Sequence, residues 1–441
     1  MIDTLRALGK PKVATMAALG FSSGLPFYLT GNTLGYWLRE GHVSLTAISF
    51  ASWVGLAYTF KFLWAPIIDR VDAPLFKLGR RRGWMLTAQI LIGLGLAAMA
   101  LIGPAGGLLN LAAAAVVVAF ASATQDIVVD AWRIEIAEDG DELGLLTSAY
   151  SLGYRGALLV TESLILIMAQ FFSWPVSYLI MAALVVIGIV AVVFASEPVV
   201  AEHVLEERSR EAPIFSLRGI FDAIAGPFIS FFRQHGLFAL VMLLTITLYH
   251  LPDYLRGPIS NPFYKDLGLS KVTVGLVRAS IGLWGSIVGV SIGGLCAVRI
   301  GYARTLIIGS ILQPIAIALF ALLASRGPDI ILFQVVMGVD AFAIGFSGVA
   351  LVAYMSSLTS LGFTATQYAL LSSALNMTGK SLKGFSGSVI DHLQASGGLM
   401  HAYGQFYIGA AALGAPAILL CVVLARHIER IRRDAAAAGA V

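Results

Sequence analysis

The sequence predicts an all-α polytopic membrane protein of about twelve transmembrane helices in two six-helix, pseudo-symmetric bundles. Three observations carry this. Apolar residues make up 58% of the 441 and charged residues only 12%, with a mean hydropathy of +0.85, where soluble domains are roughly half apolar and a quarter charged. Apolar stretches of about 20 residues, the length that crosses about 30 Å of hydrocarbon, recur along the chain. A short motif also recurs, Leu25-Pro26-Phe27-Tyr28-Leu29 returning as Leu251-Pro252-Asp253-Tyr254-Leu255.

Helices are expected because only helices and closed barrels satisfy every backbone group in lipid, and runs such as Leu179 to Phe194 lack the alternation of barrel strands. Spans are expected near 13–36, 45–66, 84–103, 109–131, 143–171, 175–195, 237–262, 272–297, 303–324, 328–353, 365–390 and 403–427. The first follows Lys10 and Lys12 but is too long for a cleaved signal and lacks a small-residue cleavage site. Of the 29 Lys and Arg, Arg39, Lys265, Lys271 and Arg326 fall in outer loops and Lys61, Arg155, Arg256, Arg278, Lys380 and Lys383 within spans. All the others lie on one side, which places both termini in the cytoplasm. The net charge of +4 therefore reflects topology and gives no reason to expect nucleic acid. Cys296 and Cys421 fall inside spans, which argues against a disulfide framework.

The longest polar interruption, 196–236, carries Glu206-Glu207-Arg208-Ser209-Arg210-Glu211. It divides the chain into an amino-terminal bundle 1–195, a linker 196–236, a carboxy-terminal bundle 237–428 and a tail 429–441. The helical spacing of Ile220, Phe221, Ile224, Phe228, Phe231 and Phe232 in the linker predicts an amphipathic helix lying on the inner leaflet. Prolines 26 and 252 are expected to kink the first span of each half. Gly285, Gly289 and Gly293 are expected to admit a neighbouring helix. Tyr36, Trp37 and Trp174, at span ends, read as interfacial belt residues.

An ionisable side chain at the centre of a span costs a few kcal/mol, so each one marks a candidate site. At 1.5 Å per residue, Arg155 and Asp340 each lie about 18 Å into their spans, near mid-depth. Arg155 and Lys380 occupy matching places in the two halves and are expected to draw an anionic substrate into a central cavity; the alternative is that fixed partners such as Glu162 or Asp340 neutralise them. Tyr154, Gln125, Asn376 and Arg256 complete the candidate substrate-binding set. Asp126, Glu162, Asp253 and Asp340 are candidates for proton coupling, since a carboxylate in low dielectric can hold its proton. Lys61 and Arg278 lie close enough to the inner and outer faces, respectively, to snorkel.

The loop after the second span holds Asp69-Arg70 followed by Gly79-Arg80-Arg81-Arg82-Gly83. It resembles the Gly-x-x-x-Asp-Arg-x-Gly-Arg-Arg loop of the major facilitator superfamily, with extra residues between its two parts. A cytoplasmic gate of Asp69, Arg70, Arg80, Asp130 and Arg133 is expected, with a static topology anchor as the alternative. Longer stretches resemble one branch, the AmpG-type muropeptide permeases. They are Gly20-Phe21-Ser22-Ser23-Gly24-Leu25-Pro26, Tyr58 through Arg70, Leu78 through Trp84, Ser122-Ala123-Thr124-Gln125-Asp126-Ile127-Val128-Val129-Asp130-Ala131-Trp132, Leu152-Gly153-Tyr154-Arg155 and, in the second half, Asn376-Met377-Thr378-Gly379-Lys380.

The resemblance implies the major facilitator fold and proton-driven import of anhydro-muropeptides, anionic sugar-peptides from cell-wall turnover, across the bacterial inner membrane by a monomer embedded in the bilayer. Related branches imply siderophores or acetyl-coenzyme A as alternative anions, and a membrane sensor or channel is the non-transporting alternative. An enzyme is not expected. The seven histidines are scattered without His-Glu-x-x-His, and no Gly-x-Ser-x-Gly elbow is present, so no catalytic residue, metal or cofactor is expected.

Overall fold

The computed structural model describes residues 11–65, 68, 73, 78–138, 140–198, 232–233, 236–357, 377–395 and 397–437. Ten of its helices are long and apolar enough to cross a membrane, from Pro11–Glu40 to Leu399–His427, and they match ten of the expected spans. The second expected span is a shorter apolar helix, Leu45–Phe60. Its α-helical pieces are separated by a 3₁₀ stretch, Ser52–Leu56. The eleventh is described only from residue 377 onward, and the linker helix, apart from Phe232 and Arg233, lies outside the described residues. The chain divides into two compact units, Met1–Val43 with Ala51–Ile214 and Ser270–Leu276, and Ser44–Phe50 with Phe215–Leu269 and Val277–Val441.

In the first unit the helices include α1 (Pro11–Leu29), α2 (Asn32–Glu40), α3 (Ala57–Phe60), α4 (Arg80–Ile102), α5 (Leu108–Ile136), α6 (Gly140–Leu159), α7 (Ile165–Phe171), α8 (Trp174–Leu184) and α9 (Val186–Phe194), and the short helix Lys271–Val277 joins them. Pro26 cannot donate to the Ser22 carbonyl, and four residues later the backbone N–H and hydroxyl of Thr30 both reach the Pro26 carbonyl at 3.0 Å. α1 stops at Leu29, and the chain turns through Gly31 before α2. Helices α1 and α6 pack backbone against backbone. A methyl on Gly20 would overlap the Tyr150 carbonyl, and one on Gly153 would overlap the Ala17 carbonyl. Two of the sequence blocks that carry the family resemblance are thus the two sides of one helix contact, which fixes how Tyr154 and Arg155 are presented. The core of the unit gathers Met16, Met85, Val128, Trp132, Leu146 and Val192.

In the second unit the helices are α10 (Phe238–Tyr249), α11 (Leu251–Asp266), α12 (Leu283–Arg299), α13 (Tyr302–Arg326), α14 (Ile330–Ser357), α15 (Ser386–Gln394), α16 (Leu399–Ala412) and α17 (Ala415–Ala437). Here the break precedes the proline. His250 leaves the helical region at φ −102° and ψ 6°, and Pro252 sits in the first turn of α11, where its missing N–H costs nothing. Gly289 brings α12 onto the Phe342 carbonyl of α14, too close for a side chain, which is the packing role expected of that glycine. The core gathers Met242, Ile246, Tyr249, Leu306, Tyr354 and Leu424.

Both units contain a π-turn in a long helix, Val160–Leu164 in the first and Arg278–Gly282 in the second. Such turns rotate the remainder of the helix about its axis and occur often at functional sites. They place Glu162 and Arg278 off the regular helical phase, which a 3.6-residue period does not reveal.

The belt assignment of Tyr36, Trp37 and Trp174 is corrected. All three are buried and packed together, with Trp37 and Trp174 stacked at 6.0 Å between centroids. The Trp174 indole N–H bonds to Glu40, whose carboxylate also lies 3.1 Å from Lys271 Nζ. The lysine in turn lies over the Trp174 ring at 5.3 Å. A charged pair, not the membrane surface, is what these rings cover. Cys296 and Cys421 are free thiols, as expected.

Candidate functional site

In the first unit the candidate residues fall on α5, α6 and α1. Asp126 and Asp130 stand one turn apart on α5 with different surroundings. Asp130 is held by Arg133 Nη2 at 3.0 Å and by Lys61 Nζ at 3.8 Å. Arg133 also covers the Tyr150 ring at 5.4 Å. Asp126 keeps a buried carboxylate oxygen, Oδ1, with no hydrogen-bond partner among the described residues. Gln125 is fully buried, and its amide N–H donates to Ser23 Oγ at 3.1 Å while its carbonyl oxygen accepts nothing among the described residues. The hydroxyls of Ser22, Tyr58 and Ser122 are likewise buried without partners there. Buried polar groups are ordinarily satisfied, and these stand on α1, α3 and α5 around Asp126.

Arg155 stands on α6, away from the glycine face packed on α1, and is exposed. Among the described residues it has no hydrogen bond or ion pair, so Glu162 does not neutralise it. Tyr154 is half-buried beside Tyr150, their rings 6.0 Å apart. Glu162 lies in the π-turn, half-buried and engaged by other groups.

In the second unit the charges form a closed network. The Arg256 guanidinium reaches Asp253 Oδ1 at 2.8 Å and Asp340 Oδ2 at 3.0 Å, and lies over the Phe320 ring at 5.1 Å. One candidate for substrate binding and two for proton coupling are therefore partners. Asp340 serves Arg256, not Arg155. Arg278, expected to snorkel outward, is buried instead and donates to Asn261 Oδ1 at 2.6 Å over the face of Tyr264. No local sequence rule links Arg278 to Asn261, 17 residues earlier on another helix. Lys380 is half-buried and engaged, and Gly379 beside it packs on the Tyr254 ring of α11. Asn376 lies outside the described residues.

Of the expected gate, Asp69 and Arg70 lie outside the described residues, and Arg80 begins α4, half-buried and engaged. A tight contact of the motif belongs to a residue that sequence reasoning passed over. Arg81 is buried and bidentate to Glu135, at 2.9 Å from Nε and 2.6 Å from Nη2. Glu197 caps α4 through the backbone N–H groups of Arg81 and Arg82, at 2.8 and 3.0 Å. The triplet Arg80-Arg81-Arg82 pointed to the place but not to which arginine turns inward. Among the described residues, no cluster of His, Cys, Asp and Glu could hold a metal ion.

Comparison with known proteins agrees with this architecture. The family model of the Major Facilitator Superfamily matches residues 16–388. The anhydromuropeptide permease of Escherichia coli K12 is 35% identical over 431 residues, covering 97% of this chain and 82% of its own length. The Rickettsia conorii protein named "Putative transporter AmpG 4" is 27% identical, covering 92% of this chain and 94% of its own length. A crystal structure of the nucleoside transporter NupG superposes with a TM-score of 0.67 at 14% identity, covering 93% of this chain and 98% of that one. That likeness speaks for the fold alone. With ten apolar spanning helices and these relatives, the chain is a multi-pass membrane protein of the major facilitator superfamily, in the branch of the AmpG-type permeases.

Proposed function

We propose that the protein imports anhydro-muropeptides into the cytoplasm across the bacterial inner membrane, coupled to protons and by alternating access. The observation that carries this reading is the 35% identity to an anhydromuropeptide permease sustained along 97% of the chain. The geometry is compatible with it. Arg155 is a cation at mid-span without a protein counter-ion among the described residues, suited to a substrate carboxylate. Asp126, with a buried and unpartnered oxygen, is the carboxylate best placed to gain and lose a proton. Asp253 and Asp340 are already committed to Arg256 and have less to offer that role.

In the same reading, the Lys271–Glu40 pair within the first unit is a contact that the transport cycle opens and closes. The test is uptake of a labelled anhydro-muropeptide into proteoliposomes under an imposed inward proton gradient. Accumulation that collapses with a protonophore supports the reading. Uptake indifferent to the gradient removes proton coupling, and preference for a siderophore or acetyl-coenzyme A replaces the substrate.

A further inference from the structure

Lys383 opens a 3₁₀ turn, Lys383–Phe385, that interrupts the helix carrying Lys380 before α15 begins at Ser386. A 3₁₀ turn within a long helix marks strain or a hinge. The lysine is half-buried, one turn beyond Lys380 and within the stretch expected to cross the membrane.

Among the described residues of the second unit, no carboxylate answers its charge. Among the described residues it makes no hydrogen bond or ion pair. Asp253 and Asp340 hold Arg256, Asp391 accepts from the Thr46 N–H and hydroxyl, Asp266 accepts from Tyr403, Asp329 caps the helix at Ile331 and Leu332, and Glu429 pairs with Arg304. The undescribed stretch 358–376 cannot supply a partner either, because the chain carries no Asp or Glu between Asp340 and Asp391. Two like charges one turn apart also disfavour each other. A half-buried cation with no carboxylate partner among the described residues is a place where an anion from outside the chain can bind.

We propose that Lys383 is a specificity residue of the substrate site. With Lys380 it forms a two-cation face whose side chains leave the helix about 5–6 Å apart, a spacing suited to two carboxylates at one end of a peptide. This rests on the reading of the chain as an importer of acidic sugar-peptides and adds which feature of the peptide is recognised.

The test compares wild type, K383Q and K383R in proteoliposomes, measuring KM for an anhydro-muropeptide with both terminal carboxylates free and for the same compound with one amidated. Expected in wild type is a KM about tenfold higher for the amide, the size of one charge-assisted hydrogen bond. K383Q then raises KM for the free diacid by that factor, leaves the amide unchanged and keeps the maximal rate, while K383R restores discrimination. A loss shared equally by diacid and amide, or no loss for either, overturns the proposal. Acetyl-coenzyme A and a tricarboxylate siderophore, each with its singly esterified form, run alongside. If wild type takes up one of these and no sugar-peptide, the proposed function falls, and K383Q must still lose discrimination for the anion carried. If wild type takes up none of them, both fall.

Discussion

Asp126 and Asp130, one turn apart, differ in what surrounds their carboxylates. They share a face of α5, yet Asp130 is spent on Arg133 and Lys61 while Asp126 Oδ1 is buried with no hydrogen-bond partner among the described residues. Replacing Asp126 by Asn removes the exchangeable proton and keeps the shape. The expected result is substrate exchange across proteoliposomes at near wild-type rate with accumulation lost, and undiminished accumulation would exclude Asp126 as the proton carrier. Arg155→Ala is expected to abolish uptake with membrane insertion intact, because no described protein group depends on that guanidinium; normal transport by the variant would take Arg155 out of the site. Arg256 is the opposite case. Removing one partner of a buried ion pair leaves an uncompensated charge, which costs about 3–5 kcal/mol. Arg256→Ala is therefore expected to lower the unfolding midpoint in detergent well below that of Arg155→Ala. The combined exchange of Arg256, Asp253 and Asp340 for apolar residues of similar size should recover much of the loss.

At the scale of elements, the glycines decide which helices touch. Gly153 on α6 and Gly289 on α12 each face a neighbouring carbonyl with no room for a methyl group. Leucine at either site is expected to shift elution in detergent toward aggregate, and a monodisperse G289L protein would show that the α12–α14 contact is dispensable. The same scale shows what the sequence could and could not reveal. Spans were legible because about 20 apolar residues are needed to cross a bilayer whatever the packing. Asp126, Arg155 and Asp340 were legible because a charge there is costly. Pairings between helices were not: nothing near Arg278 points to Asn261, and nothing in Trp174 reveals that its indole covers a Glu40–Lys271 pair instead of the membrane surface. The π-turns at Val160–Leu164 and Arg278–Gly282 escaped for the same reason, since one extra residue per turn leaves the apolar composition unchanged.

At the scale of the whole molecule, the proposed transport cycle would break the Lys271–Glu40 contact, which lies within the first unit. Lys271→Ala removes its cation from a partly buried acid. It is expected to speed opening on that side and so raise the leak of substrate without a proton gradient. The central claim is that a charged site at mid-depth meets one aqueous compartment and then the other. It is tested most directly by single cysteines in place of Ser151 and Ser381, beside Arg155 and Lys380, in protein with Cys296 and Cys421 replaced by serine, challenged from each side of oriented vesicles with a membrane-impermeant thiol reagent. Alternating access predicts labelling from both sides at each position, in proportions that shift when a proton gradient is imposed. Labelling from one side only under every condition, or from neither, would contradict it.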